Sequence, residues 1–458
     1  MPGGLHKTLT TVEYFTFSFG SMVGVGWVVL IDDWLSRGGP AGAMLAFALG
    51  GALLMPVALT YGRLVRRIPD AGAEIAYAEG VFPPAVAFAA GWSMVLAYAI
   101  VCPWEAVAVG NVLARALPQL NSLPLYEIAG RTVYAPRLIA GLLLTGGIAF
   151  INYRGIAPSA RFQNVTTFSL LALFGVFVLT ALVSGSPANL PPLFARPGST
   201  GAWLSILLVL QVVPYFMTGF ESVAKASEEA RPGFDPRNFA RAITLAITVG
   251  ASFYVLIIAA VSFVYPWQAI VRGSLGTEAA FERALGSRLM AQLVLFAAFL
   301  SLLKIFNGNF VAASRLMLAV GRRNLVHPSL ARVHDTHGTP TVAIVLLGTL
   351  TALASCLGDA VLVPITEVGS LAVGIGWLSA CVAFLARTHN EPGMPRVMAT
   401  VGALVSAAIV LMKALPAIPG SFGAMEWIAF AAWMALGGAF WFSRSMRPRL
   451  ITKIGRNT

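Results

Sequence analysis

Roughly twelve stretches of about 20 apolar residues can be laid along this chain with only short polar joints between them, each long enough to cross a bilayer as a helix. That feature excludes most folds, because only helices and closed barrels satisfy their own backbone polar groups where there is no water. With 57% hydrophobic and 11% charged residues and a mean hydropathy of +0.79, the chain is too apolar for a soluble globular domain. Spans are expected at 12–32, 41–61, 84–115, 138–153, 163–183, 203–224, 242–265, 288–314, 340–357, 361–385, 397–415 and 424–443. The predicted class is an all-α integral membrane protein of 12 transmembrane helices. No Gly/Ser-rich or Pro-rich linker divides residues 1–458, so one domain is expected. The first span follows Lys7 without a small-residue cleavage site and is expected to be retained.

The net charge of +12 points to the membrane rather than to nucleic acid. Placing the N-terminus in the cytoplasm gathers most of the 31 Lys and Arg residues into inner segments, which predicts a multi-pass cell-membrane protein with both termini cytoplasmic. The basic tail Arg444, Arg447, Arg449, Lys453 and Arg456 is expected to meet anionic lipid headgroups. Cys102, Cys356 and Cys381 fall in apolar stretches and imply neither a disulfide framework nor a metal site. There is no phosphate-binding Gly-Lys-Ser/Thr loop, nucleophile elbow or His-Glu-x-x-His pair, so neither ATP coupling, a cofactor nor an enzyme is indicated.

Two interruptions fall at matching places in consecutive sets of spans: Gly20-Ser21-Met22-Val23-Gly24-Val25-Gly26 in the first, and Pro214-Tyr215-Phe216-Met217-Thr218-Gly219 in the sixth. Unwound backbone at membrane depth must face protein or a polar cavity. Breaks that recur one repeat apart point to the midplane site of a secondary transporter built from inverted repeats. The halves are expected at about 12–183 and 203–385, five spans each, followed by two extra helices at about 397–443 and the tail 444–458. This repeat rests on hydropathy and glycine placement alone, and Gly20, Gly24 and Gly26 also suit close helix packing.

The same residues resemble a family. The run Gly20 to Gly26 looks like the glycine-rich break of the amino acid, polyamine and organocation transporter superfamily. Tyr61-Gly62-Arg63-Leu64 with Pro69, Ala71-Gly72 and Tyr77 resembles its second-to-third span loop, and Gly219-Phe220-Glu221 with Glu228-Glu229 and Arg241-Ala242-Ile243 its sixth span and exit. Ser314-Arg315-Leu316, Gly321-Arg322 and Pro328-Ser329-Leu330-Ala331 through Gly338-Thr339-Pro340 resemble the exit of its eighth span. The resemblance implies a leucine-transporter type of fold, five plus five inverted spans with helices 1 and 6 broken, and secondary active transport of an amino acid or amine. Three departures stand out: Arg63 replaces a usual acid, Val25 a usual hydroxyl residue, and Thr166, Thr167, Ser169 and Leu170 surround the place of a fifth-span Lys found in proton-coupled relatives.

Backbone N–H groups from Met22, Val23, Gly24, Val25 and Gly26, with Ser21, can receive a substrate carboxylate, since Val25 offers no hydroxyl. A carboxyl-free amine is the alternative. Carbonyls freed near Tyr215, Phe216, Thr218 and Gly219 suit an ammonium group, and Tyr215 stands where the family places an aromatic lid. Trp27 reads as packing or an interface anchor. Glu221 is expected to cap the second half-helix and pair at i+4 with Lys225, or to act as a gating or proton-carrying carboxylate. An ionisable side chain at the depth of Glu105 must face a cavity or a partner; it selects a substrate with a second amine or hydroxyl, carries a proton, or pairs with Lys304.

Lys304 precedes Arg315 by 11 residues, about 16 Å of helix, which is mid-membrane. Sodium-coupled members of the fold hold a cation between spans one and eight, so an ammonium there can replace the ion and become a proton carrier; a charged strut toward Glu105 or freed carbonyls is the alternative. Asn307 and Asn309 nearby serve a cavity or glue helices together. The expected activity is import driven by a proton or the membrane potential. An exchanger, or a receptor that binds without transport, is the competing reading; oligomeric state is not indicated.

Overall fold

The computed structural model describes residues 4–390, 393–418 and 421–445. Arg447, Arg449, Lys453 and Arg456 of the basic tail lie outside the described residues, as does the side chain of Arg444. The chain is built almost wholly from helices, and ten stretches among the described residues are long and apolar enough to cross a membrane. Gly198–Leu210 and Thr341–Ser355 are apolar but shorter.

Helix α1 (Thr11–Met22) opens on a capping box: the Thr10 hydroxyl accepts from the Val12 amide while Glu13 Oε2 accepts from the Thr10 amide at 2.8 Å. After α2 (Gly26–Val29), α3 (Ile31–Arg67) carries the end of the first span and all of the second. Gly39 separates the two with φ of +64°, and a Cβ there would lie 2.7 Å from the Ala195 amide nitrogen, so only glycine fits this corner. Short α4 (Glu74–Ala78) precedes α5 (Pro84–Ala99) and α6 (Val101–Ala116), which together form the third span. An antiparallel hairpin of β1 (Pro124–Ile128) and β2 (Arg131–Tyr134), with Glu127 opposite Thr132, leads into α7 (Ala135–Arg154) and α8 (Ile156–Ser184).

The sixth expected span is in three pieces, α9 (Gly198–Leu210), α10 (Val213–Phe216) and α11 (Ser222–Lys225). Then come α12 (Arg237–Val264), the loop helices α13 (Trp267–Arg272) and α14 (Thr277–Leu285), α15 (Arg288–Arg322), α16 (Thr341–Ser355), α17 (Gly358–Arg387), α18 (Met394–Ala414) and α19 (Ala424–Ser445). The hairpin and helices α4, α13 and α14 were not expected from hydropathy, because short mixed segments carry too few periodic apolar positions to register.

Burial ranks the spans from centre to rim. The buried share falls from 83% for Thr11–Val29 to 22% for Ala135–Arg154 and 6% for Ala424–Phe442, so the interrupted first span is the axis of the bundle. Large apolar side chains such as Leu143, Phe150, Val183, Leu353, Leu404 and Phe442 face outward. A lipid-facing surface has this composition; an aqueous one does not.

Candidate functional site

The first break spans Val23, Gly24 and Val25, between α1 and α2. Four carbonyls at and just before it, those of residues 20–23, are met by side chains. Lys304 on α15 donates to the carbonyls of Gly20, at 3.4 Å, and Val23. Asn309 donates to Ser21 at 3.4 Å, and Tyr254 on α12 to Met22 at 3.4 Å. The amides that open α2 have no partner within that helix, as at any helix start. Lys304 is fully buried and its ammonium also lies 5.1 Å from the centre of the Phe19 ring. Of the alternatives for Lys304, the geometry places it on freed carbonyls rather than in an ion pair with Glu105.

The second break differs from its expected position. Pro214, Tyr215 and Phe216 lie in the single turn α10, and the helix is lost over 217–221, where Gly219 has φ of +117°. Proline is tolerated in a first helical turn, which lacks a partner for its amide anyway. The Thr218 hydroxyl donates to the Pro214 carbonyl at 2.8 Å, and Ser18 of α1 donates to the freed Phe220 carbonyl at 2.9 Å.

The two breaks touch. A Cβ on Gly219 would stand 2.7 Å from Ser21 Cβ, and one on Gly26 would stand 2.5 Å from Phe216 Cε1. Gly24 faces Ile305 and Glu105, with Glu105 Oε1 3.8 Å from where its Cβ would be. Glu105 is buried and its Oε2 has no hydrogen-bond partner; the Ser21 hydroxyl is likewise buried and unpartnered. Ser21, Gly24, Gly26, Glu105, Phe216, Gly219 and Lys304 are thus brought together. Tyr215, whose ring stands edge-on to Phe216 at 5.2 Å, keeps partial exposure with Phe216 and Thr218, whereas Met217 and Phe220 are buried. Trp27 is buried, its indole N–H donating to Ser301 at 3.3 Å, so it packs in the bundle rather than at an interface.

Glu221 pairs differently from the i+4 expectation. It stands at the N-cap of α11 without capping it by a side-chain bond, its Oε2 accepting from the Gly219 amide at 3.2 Å and its Oε1 from the Tyr98 hydroxyl at 2.8 Å. Lys225 reaches only the backbone carbonyl of Glu221, at 3.4 Å, and forms its ion pair with Glu74 at 2.5 Å. The cause is geometric: a side chain projects over the turn before its own Cα, and residue 221 sits outside a four-residue helix, so its carboxylate points into the break instead.

Beyond the breaks, the N-terminal face of the bundle carries a cluster of ion pairs. Arg315 grips Glu229 through two bonds, Nη2–Oε1 at 2.9 Å and Nε–Oε2 at 3.1 Å, both side chains fully buried. Burial holds the Glu229 carboxyl above its usual range although Arg315 pulls it back. Arg323 pairs with Asp70 and Glu79, and Arg322 with Glu228. The leading segment is strapped over this face: the Thr8 and Leu9 amides donate to Glu229, Arg231 to Leu9, and His6 to Gly338.

Sequence reasoning missed a second polar cluster beside the first break. Asn307 accepts from Asn152 at 2.9 Å and from Ser159 at 3.0 Å, and donates to Gln163 Oε1 at 2.8 Å, while Gln163 donates to the Thr16 carbonyl. Asn307 therefore glues α7, α8 and α15, and Asn309 supports the break. The signal available was Gln163, a polar residue inside an apolar span. Two cavities of about 260 and 490 Å³ open away from the breaks.

A helical multi-pass membrane protein with two interrupted helices meeting inside the bundle is, by architecture, of the broken-helix type. The chain belongs to the amino acid permease family, whose profile, described as "Amino acid permease", matches residues 9–440. It is similar to the branched-chain amino acid permease BcaP of Bacillus subtilis (strain 168), 25% identical over 97% of this chain and 94% of the relative. It is also similar to the methylthioribose transporter of the same organism, at 24% over 98% and 95%. The cationic amino acid transporter 4 of Mus musculus is 26% identical over 81% of this chain and 58% of its own length. These relatives are transporters rather than enzymes.

Proposed function

We propose that the chain is a secondary active transporter that moves an amino acid or small amine across the cell membrane by alternating access. The observation that carries this reading is the contact between the breaks, Gly219 on Ser21 and Phe216 on Gly26, with the carbonyls of residues 20–23 held by Lys304, Asn309 or Tyr254. The Val23 amide continues the α1 ladder to the Phe19 carbonyl at 3.0 Å, so substrate would enter by parting these contacts with its carboxylate on the amides of 24–26 and on Ser21, its ammonium on carbonyls near Thr218 and Gly219, and Tyr215 closing over it. Glu105, whose buried Oε2 has no hydrogen-bond partner, favours a second amine on the substrate. The named relatives carry different substrates, so substrate class is read from these residues rather than from any one of them.

Lys304 takes the place of a coupling cation between the first and eighth spans and makes a proton or the membrane potential the driving force. The single domain of 1–458 comprises 12 spans, the interrupted helices opening two inverted halves at about 12–183 and 203–385, with both termini cytoplasmic. The test is uptake into reconstituted vesicles. Labelled lysine or ornithine should accumulate above its external concentration, and more so with an inward proton gradient. Uptake only into vesicles preloaded with amino acid would make it an exchanger, and saturable binding without entry would make it a receptor. A decarboxylated analogue that competes as well as its parent acid would exclude carboxylate docking at the first break.

A further inference from the structure

The cavity of about 490 Å³ is formed where four helices end on the N-terminal face. Arg63, Arg66 and Arg67 come from the last turns of α3, Arg237 from the first turn of α12, Phe384 and Thr388 from the end of α17, and Pro395 from the start of α18. Four guanidinium groups thus share a lining with one described carboxylate, Asp235, whose Oδ1 accepts from the Arg237 amide at 2.9 Å in the turn that leads into α12. Arg63, Arg66 and Arg237 form no ion pair with any described acid, and Arg63 is the residue that departs from the family's usual acid. Arg67 lies over the Phe384 ring at 5.6 Å, which orients it along the cavity wall. Arg63, Arg66 and Arg237 gathered in one lining repel one another, and a multivalent anion among them relieves that repulsion. The N-terminus of 28-residue α12 adds further positive potential.

We propose that this cavity binds a phosphate group. Guanidinium forks match phosphate oxygens in pairs, and the position at the ends of spanning helices is the depth of lipid headgroups, where basic clefts between helices take anionic lipid. The shared chemistry is a phosphate mono- or diester, supplied by an anionic phospholipid or by a soluble phosphate. The site does not depend on the transport reading, and its test involves no transport.

The full chain, purified in neutral detergent, is melted with short-chain phosphatidylglycerol, short-chain phosphatidylcholine, or inorganic phosphate at matched ionic strength. Phosphatidylglycerol alone should raise Tm, and the triple variant R63Q/R66Q/R237Q should need about a hundredfold more lipid for the same rise. An equal rise with inorganic phosphate, lost in the variant, assigns the site to a soluble phosphate. No rise with any probe, or equal rises in parent and variant, overturns the proposal. If the triple variant aggregates, R66Q/R237Q, at two exposed positions, gives the same comparison.

Discussion

Gly219 and Lys304 show how much a single position decides at the breaks. Gly219 combines a left-handed backbone with a neighbour, Ser21, that leaves no room for a methyl group. Gly219→Ala should therefore cost ~1–3 kcal/mol of stability and abolish uptake. Gly233→Ala, also at positive φ but with open space around it, should lose stability and keep transport, so comparing melting and uptake in the two variants separates backbone strain from contact between the breaks. Lys304→Ala should leave uptake indifferent to an imposed pH gradient; an undiminished dependence would remove Lys304 from coupling. That Lys304 lay deep in the membrane was legible from its distance to Arg315, but its partners were not. Helical azimuth is not written in one sequence, and the carbonyls that hold it belong to a chain segment about 280 residues away.

At the scale of elements, apolar length made ten of the twelve expected spans legible among the described residues, the sixth and ninth being shorter helices, and clustered glycines marked the first break to within a few residues. The second break was displaced toward the C-terminus because Pro214 looked like a breaker and is a helix-start residue. The Lys225 pairing failed for a related reason: i+4 spacing presumes a helix under both residues, and the helix begins after Glu221. The ion pairs of the N-terminal face divide by burial. Arg315→Gln leaves Glu229 buried without its cation and should destabilise the protein by about 3–5 kcal/mol. Arg322→Gln, at a pair in partial contact with solvent, should cost no more than about 1 kcal/mol. Thermal unfolding of the two variants in the same detergent checks the difference, and equal melting points would show that the Arg315–Glu229 pair adds little.

For the whole molecule, the ranking of burial puts the oldest problem of a membrane protein, where to hide polar backbone, at the bundle axis and leaves α18 and α19 as a rim. Orientation is the global property that rests on charge distribution. A protease-cleavable tag after Thr458 should be cut in inside-out vesicles and protected in right-side-out ones, and the reverse would invert the topology. The strap of residues 6–9 across 229–231 and Gly338 carries a consequence for biogenesis. The ribosome releases those leading residues first, yet the last of their rungs does not exist until residue 338 has been made. Three of the rungs can close once residue 231 has been made, but the nascent chain must thread most of its helices into the bilayer before the His6 rung can close, so the strap is buttoned in two stages.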